Sequence, residues 1–94
     1  MNYTLFYHPK VGKEDIPALS ITARHRIKKA IEGRLLSQPE KYGKPLRYTL
    51  KNLWSLRVGD YRVIYKINAP KIWILKIGHR KEVYEHIAGR FSLS

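Results

Sequence analysis

Ninety-four residues make one small domain, and they exclude two independent cores or a separate cofactor-binding module. Nineteen basic against seven acidic side chains give a formal charge of +12, while 44% hydrophobic and 12% aromatic residues exclude a disordered basic tail, which lacks the apolar content to offset chain entropy. There is no cysteine, so disulfides, thiolate metal sites and a cysteine nucleophile are excluded, and a metal would need histidine and carboxylate ligands alone.

In chain order, Asn2 to Tyr7 is rich in Tyr, Thr, Leu and Phe, closes on His8-Pro9, and reads as an opening strand. Lys10 to Leu19 predicts a short or broken helix, because Gly12 and Pro17 lie inside it. From Ser20, an N-cap residue, Ala23, Ile27, Ala30, Ile31 and Leu35 recur at helical spacing and predict the main helix, ending before Pro39. Tyr42 to Asn52 reads as loop, with Gly43 and Pro45 as breakers. Trp54, Leu56 and Val58 then alternate with Ser55 and Arg57, Gly59-Asp60 turns, and Tyr61, Val63, Tyr65 and Ile67 alternate in the return strand. Asn68-Ala69-Pro70 turns the chain into Ile72 to Ile77, completing a three-stranded meander, and Glu85 to Arg90 reads as a last helical turn or two. The expectation is an α+β domain over residues 1–94: an N-terminal strand, a helical hairpin, then an antiparallel meander. Tyr61, Val63, Tyr65, Ile67, Trp73, Leu75 and Ile77 are expected to be buried with Ile27, Ile31 and Leu35, leaving arginine and lysine on the other face.

No run approaches the ~18 apolar residues of a membrane span, and Met1 to Tyr7 lacks the charged start and apolar block of a signal peptide, so a cytoplasmic protein with no membrane partner is expected. Residues 1–40 hold seven basic and four acidic side chains, residues 41–94 twelve and three. A polyanion is the expected partner, because phosphate neutralisation with counterion release supplies most of a basic domain's nucleic-acid affinity.

Gly43-Lys44-Pro45-Leu46, the run Leu53-Trp54-Ser55-Leu56-Arg57-Val58-Gly59-Asp60-Tyr61-Arg62-Val63-Ile64-Tyr65 and the end Ile77-Gly78-His79-Arg80-Lys81-Glu82-Val83-Tyr84, in this order of elements, resemble the RelE/ParE toxin superfamily. The resemblance implies a RelE-like fold and the toxin of a type II toxin-antitoxin system that acts on the ribosome, cleaves translated mRNA without a metal or other cofactor, and is neutralised by a cognate antitoxin. It also implies that Arg62 and Arg80 contact the scissile phosphate and that Tyr84 stacks on a base or assists proton transfer.

Such cleavage uses the RNA 2′-hydroxyl as nucleophile, so the protein must help remove its proton, stabilise the phosphorane charge and protonate the leaving 5′-oxygen. Arg62 follows the Gly59-Asp60 turn and, lying between core-facing Tyr61 and Val63, should point outward. His79 brings an imidazole, the side chain suited to acid or base work near neutral pH, although a histidine beside Arg80 and Lys81 reads equally as a basic surface group. Asp60 reads as a turn residue, and Glu82 as an ion-pair partner of Arg80. Lys44, Arg47, Lys51, Arg57, Lys76 and Lys81 are assigned as a group to RNA and ribosome phosphates. The RelE pattern places two lysines on the strand before the turn, where this chain has Leu53 and Ser55. That departure keeps open a ParE-like inhibitor of DNA gyrase without nuclease activity. A noncatalytic RNA-binding domain is disfavoured, because beyond Tyr84 no second exposed aromatic stands at stacking spacing.

Overall fold

A computed structural model of the chain describes residues 2–46 and 53–90. Strand β1 (Thr4–Tyr7) leads into a π-helical turn (Val11–Asp15), the shortened first arm of the hairpin. Helix α1 (Ile21–Ala30) starts where Ser20 Oγ accepts the Ala23 amide at 3.1 Å and continues as a second π-helical turn (Ile31–Leu35). A short α2 (Pro39–Tyr42) with proline in its first turn precedes β2 (Lys44–Pro45). The hairpin of β3 (Leu53–Val58) and β4 (Tyr61–Asn68) turns at Gly59, whose φ of 60° suits a residue without Cβ. Then come β5 (Lys71–His79), entered through a cis Ala69-Pro70 bond, and a closing 3₁₀ turn (Ile87–Arg90).

The five strands form one sheet in the order β1-β5-β4-β3-β2, antiparallel except for the parallel β1–β5 edge pair. Lys44–Pro45, expected as loop, is a strand, pairing Lys44 with Ser55 and Pro45 with Trp54. Its proline lies on a sheet edge, where a missing amide is tolerated.

One face of the sheet packs on α1. Ile27, Ile31 and Leu35 meet Leu56, Val58, Val63, Tyr65, Ile72, Ile74 and Ile77 in the core, with Tyr61 and Ile67 only partly buried against it. The expected inward set on β5 is therefore corrected. Ile64 pairs with Lys76 but Tyr65 pairs with Ile74, so Leu75 is an extra residue, a β-bulge that shifts the alternation. Ile72 and Ile74 face the helix before the bulge and Ile77 after it. Trp73 lies on the opposite face, stacked on Phe6 at 4.8 Å. Leu53, Ile64, Leu75 and Val83 are buried outside the helix-side core, so the open face has its own small apolar base.

Candidate functional site

Strand parity decides which side chains share the open face. Arg57 and Arg62 are direct cross-strand partners there, with Ser55 two residues from Arg57 and Lys44 opposite Ser55. Together with Tyr42 and Tyr84 they line a cleft of about 350 Å³ into which, among the described residues, no carboxylate projects. Tyr42 and Tyr84 are 45% and 48% exposed, large values for aromatic side chains, so two rings wall a cationic floor. The expectation that no second exposed aromatic accompanies Tyr84 is thereby corrected: Tyr42 escaped the sequence reading because it ends a four-residue helix. Arg34 and Lys41 lie 5.9 Å and 5.5 Å from its ring centre.

Arg62 is preorganised. Its Nη1 donates to the carbonyls of Gly59 (3.0 Å) and Tyr61 (2.9 Å), folding the guanidinium over the β3–β4 turn. Arg80 reaches the same turn: its amide donates to Asp60 O at 2.8 Å, and its Nε stands 4.0 Å from the Asp60 carboxylate. That pair is exposed and weak. The Asp60 backbone thus serves the turn, while its carboxylate, rather than that of Glu82, pairs with Arg80.

His79 lies elsewhere. It pairs with Tyr61, edge-on at 6.1 Å, and so points to the opposite side of the sheet from Arg62, into a hollow with Glu14, Glu82 and Glu85. Its Nδ1 accepts the Lys81 amide at 3.2 Å, with Lys81 itself exposed. Lys76 is committed to structure, donating from Nζ to the Glu85 carbonyl; burial, followed by the charge of Arg90, lowers its pKa. That bond anchors the backbone next to Tyr84. Val83, fully buried against Gly78, anchors the other side. Arg47 and Lys51 lie outside the described residues. Among the described residues, no three His, Asp or Glu side chains gather as a metal-ligand set, and no helix is long and apolar enough to cross a membrane.

A helix packed on one face of a mixed five-stranded sheet, with an arginine-rich cleft on the other, is the architecture of the RelE/ParE class of small toxins. Residues 13–84 match the model of the ParE toxin of type II toxin-antitoxin systems, and the chain belongs to that family. It is 45% identical over 58 residues to Toxin RelE of Mycobacterium tuberculosis, and 39% identical over 54 residues to Toxin RelG of the same organism. These stretches cover 62% and 55% of this chain and span 52% and 62% of the relatives' lengths.

Solved structures agree in fold. The toxin-antitoxin complex RelBE2 of M. tuberculosis includes a chain with a TM-score of 0.77 and 29% identity, covering 85% of this chain and all of that one. A mutant of Escherichia coli toxin RelE in the free state gives 0.74 and 25%, covering 97% and 99%. The RelB-RelE complex of Methanococcus jannaschii gives 0.68 and 25%, covering 86% and 96%.

Proposed function

We propose that this toxin is a ribosome-dependent endoribonuclease that cleaves translated mRNA by attack of the 2′-hydroxyl on the adjacent phosphate. The observation that carries this reading is the Arg57–Arg62 cross-strand pair between two exposed tyrosines. Like charges directly opposite in a sheet are destabilising, and no carboxylate among the described lining residues relieves them, which favours an external anion in the cleft. A phosphodiester flanked by bases supplies both the anion and the rings that Tyr42 and Tyr84 would stack on.

In this mechanism the 2′-oxygen bonds to phosphorus, the bond from phosphorus to the 5′-oxygen breaks, and a 2′,3′-cyclic phosphate and a 5′-hydroxyl result. Arg62 and Arg80, gathered at the Gly59-Asp60 turn, stabilise the charge of the phosphorane. Tyr84 stacks on a base beside the scissile bond or passes a proton to the leaving oxygen. Arg57 holds a neighbouring phosphate, and Lys44, opposite Ser55 in the cleft, steadies the attacking 2′-oxygen. His79, on the other side of the sheet, contributes only if the bound RNA bends around the end of β5.

The absence of lysine at Leu53 and Ser55 favours the second reading, a gyrase inhibitor without nuclease chemistry. Single-turnover cleavage of mRNA on programmed ribosomes separates the two. Arg62→Ala should slow cleavage by about 100-fold or more. A wild-type protein that cleaves nothing yet arrests gyrase would establish the second reading.

An antitoxin is the proposed protein partner. Two of the solved relatives are toxin-antitoxin complexes, and a +12 domain fits an acidic partner that folds on it. Co-expression with the product of the neighbouring gene tests this, with a stable complex and restored growth as the expected result and neither as the outcome that removes the antitoxin reading.

A further inference from the structure

The cleft is not the only place where cations gather without counter-charge. Between α1 and the β3–β4 hairpin lies a second hollow of about 690 Å³, walled by Arg26, Lys29, Arg34 and Arg57, and among the described residues no acidic one lines it. The helical stripe explains its shape. Ala30 and Gly33 form the floor between the long basic side chains, and a Cβ added at Gly33 would meet nothing within 4 Å, so the space above the helix is open. On the hairpin side Arg26 lies close over Gly59, where a Cβ would stand 2.7 Å from Nη1. Arg57 belongs to both hollows, lining this one and the cleft.

We propose that this hollow is a second phosphodiester site, which holds RNA backbone outside the cleft and is continuous with it through Arg57. The inference rests on the RNA reading above for the identity of the polymer, but not on cleavage. Four cations gathered in one concavity with no acidic neighbour among the described lining residues repel each other, and a chain of phosphates relieves that repulsion while releasing counterions. The lining fits RNA better than an acidic peptide. Protein interfaces are anchored by aromatic and large aliphatic side chains in desolvated pockets, whereas among the described residues Ala30 and Val58 are the apolar contributors here.

The test is fluorescence anisotropy of the full chain with a short 2′-O-methyl oligoribonucleotide, which binds but cannot be cleaved, titrated across a range of salt. The doubly substituted Arg26→Gln/Lys29→Gln protein is compared with Lys10→Gln/Lys13→Gln, which removes the same charge from exposed positions outside both hollows. Both pairs lie at the surface, and circular dichroism checks that the fold is kept. Loss of two single-strand phosphate contacts should reduce the slope of log affinity against log salt by roughly 1.4 and weaken binding by about tenfold at low salt. The control should stay within about twofold of wild type. Equal losses in the two proteins would reduce the effect to bulk charge and overturn the site. So would unchanged binding by the Arg26/Lys29 protein, or polyglutamate that outcompetes RNA and depends on these two residues. Because cleavage is not read, an inactive wild type on ribosomes would refute the nuclease and leave this result to stand by itself.

Discussion

The carboxylate of Asp15 and the guanidinium of Arg90, 75 positions apart, meet inside the protein as a two-pronged pair at 2.8 Å and 3.0 Å. Both residues also serve the β5 bulge: Asp15 Oδ2 accepts the Ile77 amide at 2.9 Å, and Arg90 Nη1 donates to the Leu75 carbonyl at 2.8 Å. Two backbone groups beside the bulge, past the last β1–β5 pair at Tyr7 and Ile74, thus find their partners in one ion pair. The same pair fastens the last turn to the sheet, beside the segment that presents Tyr84.

Breaking this pair should therefore be costly. Arg90→Met leaves Asp15 buried without its counter-charge, an expected loss of about 3–5 kcal/mol in urea unfolding, and Asp15→Asn should cost somewhat less because Arg90 keeps the exposed Glu14 carboxylate at 3.9 Å. The double substitution should cost clearly less than the sum of the two, since no orphan charge remains, yet stay destabilising because Leu75 O and Ile77 N–H lose their partners. Additive losses would show that the two side chains act independently.

Gly43 is fixed by close approach. A Cβ there would stand 1.8 Å from Tyr65 Oη and 2.8 Å from Cζ. That ring cannot yield, because it is fully buried and Oη donates to Pro39 O at 2.6 Å. Burial, followed by the charge of Glu40, pushes the phenol pKa up and keeps it neutral. Gly43→Ala should cost about 1–3 kcal/mol or more in thermal denaturation, and Tyr65→Phe in the same chain should recover only part, since Cζ still collides. Gly12→Ala, with nothing within 4 Å, should be neutral or slightly stabilising.

The parts legible in the sequence were those whose signal is local. The Ser20 cap, the helical spacing to Leu35 and Pro39 fixed the main helix, and alternation around Gly59-Asp60 fixed the hairpin and the outward direction of Arg62. Local patterning failed where tertiary contacts decide. A bulge at Leu75 cannot be read from alternation, so Trp73 and Leu75 were expected on the wrong face. A two-residue edge strand containing proline looks like loop until Ser55 and Trp54 pair with it. Asp15 and Arg90 look like ordinary charges in polar segments until the fold joins them, and Tyr42 gains meaning only opposite Tyr84.

Acid should weaken the fold through His8. Burial, then the charges of Arg90 and Lys10, lower its pKa from the ordinary 6.5, against the opposing pull of Asp15 and Glu14. Its Nδ1 accepts the Lys10 amide at 3.1 Å, an arrangement that protonation abolishes. With the folded pKa below the unfolded one, the unfolded chain holds more protons between the two values, so stability rises with pH in that window. The contribution is complete above the unfolded value and is lost as pH falls toward the folded one. The urea midpoint should fall between about pH 7.5 and about pH 5.5, and His8→Gln should flatten that dependence. A variant that titrates like wild type would move the effect to another group.

The last prediction concerns the cation missing from Leu53 and Ser55. Across the β2–β3 pair Lys44 stands opposite Ser55 on the open face, so the neighbouring strand brings an ammonium into the region of the cleft that Ser55 leaves uncharged. If Lys44 steadies the attacking 2′-oxygen, Lys44→Gln should slow single-turnover cleavage by about 10- to 100-fold with ribosome affinity little changed. Ser55→Lys in that background should restore part of the rate, because the new ammonium arises from the directly paired position. His79→Gln, altered on the other side of the sheet, should stay within a few-fold of wild type and keep the same pH profile. Three measured rates then separate the possibilities. A Lys44→Gln protein as fast as wild type removes Lys44 from the chemistry, and a slow His79→Gln protein with a flattened pH profile transfers the proton work to the imidazole.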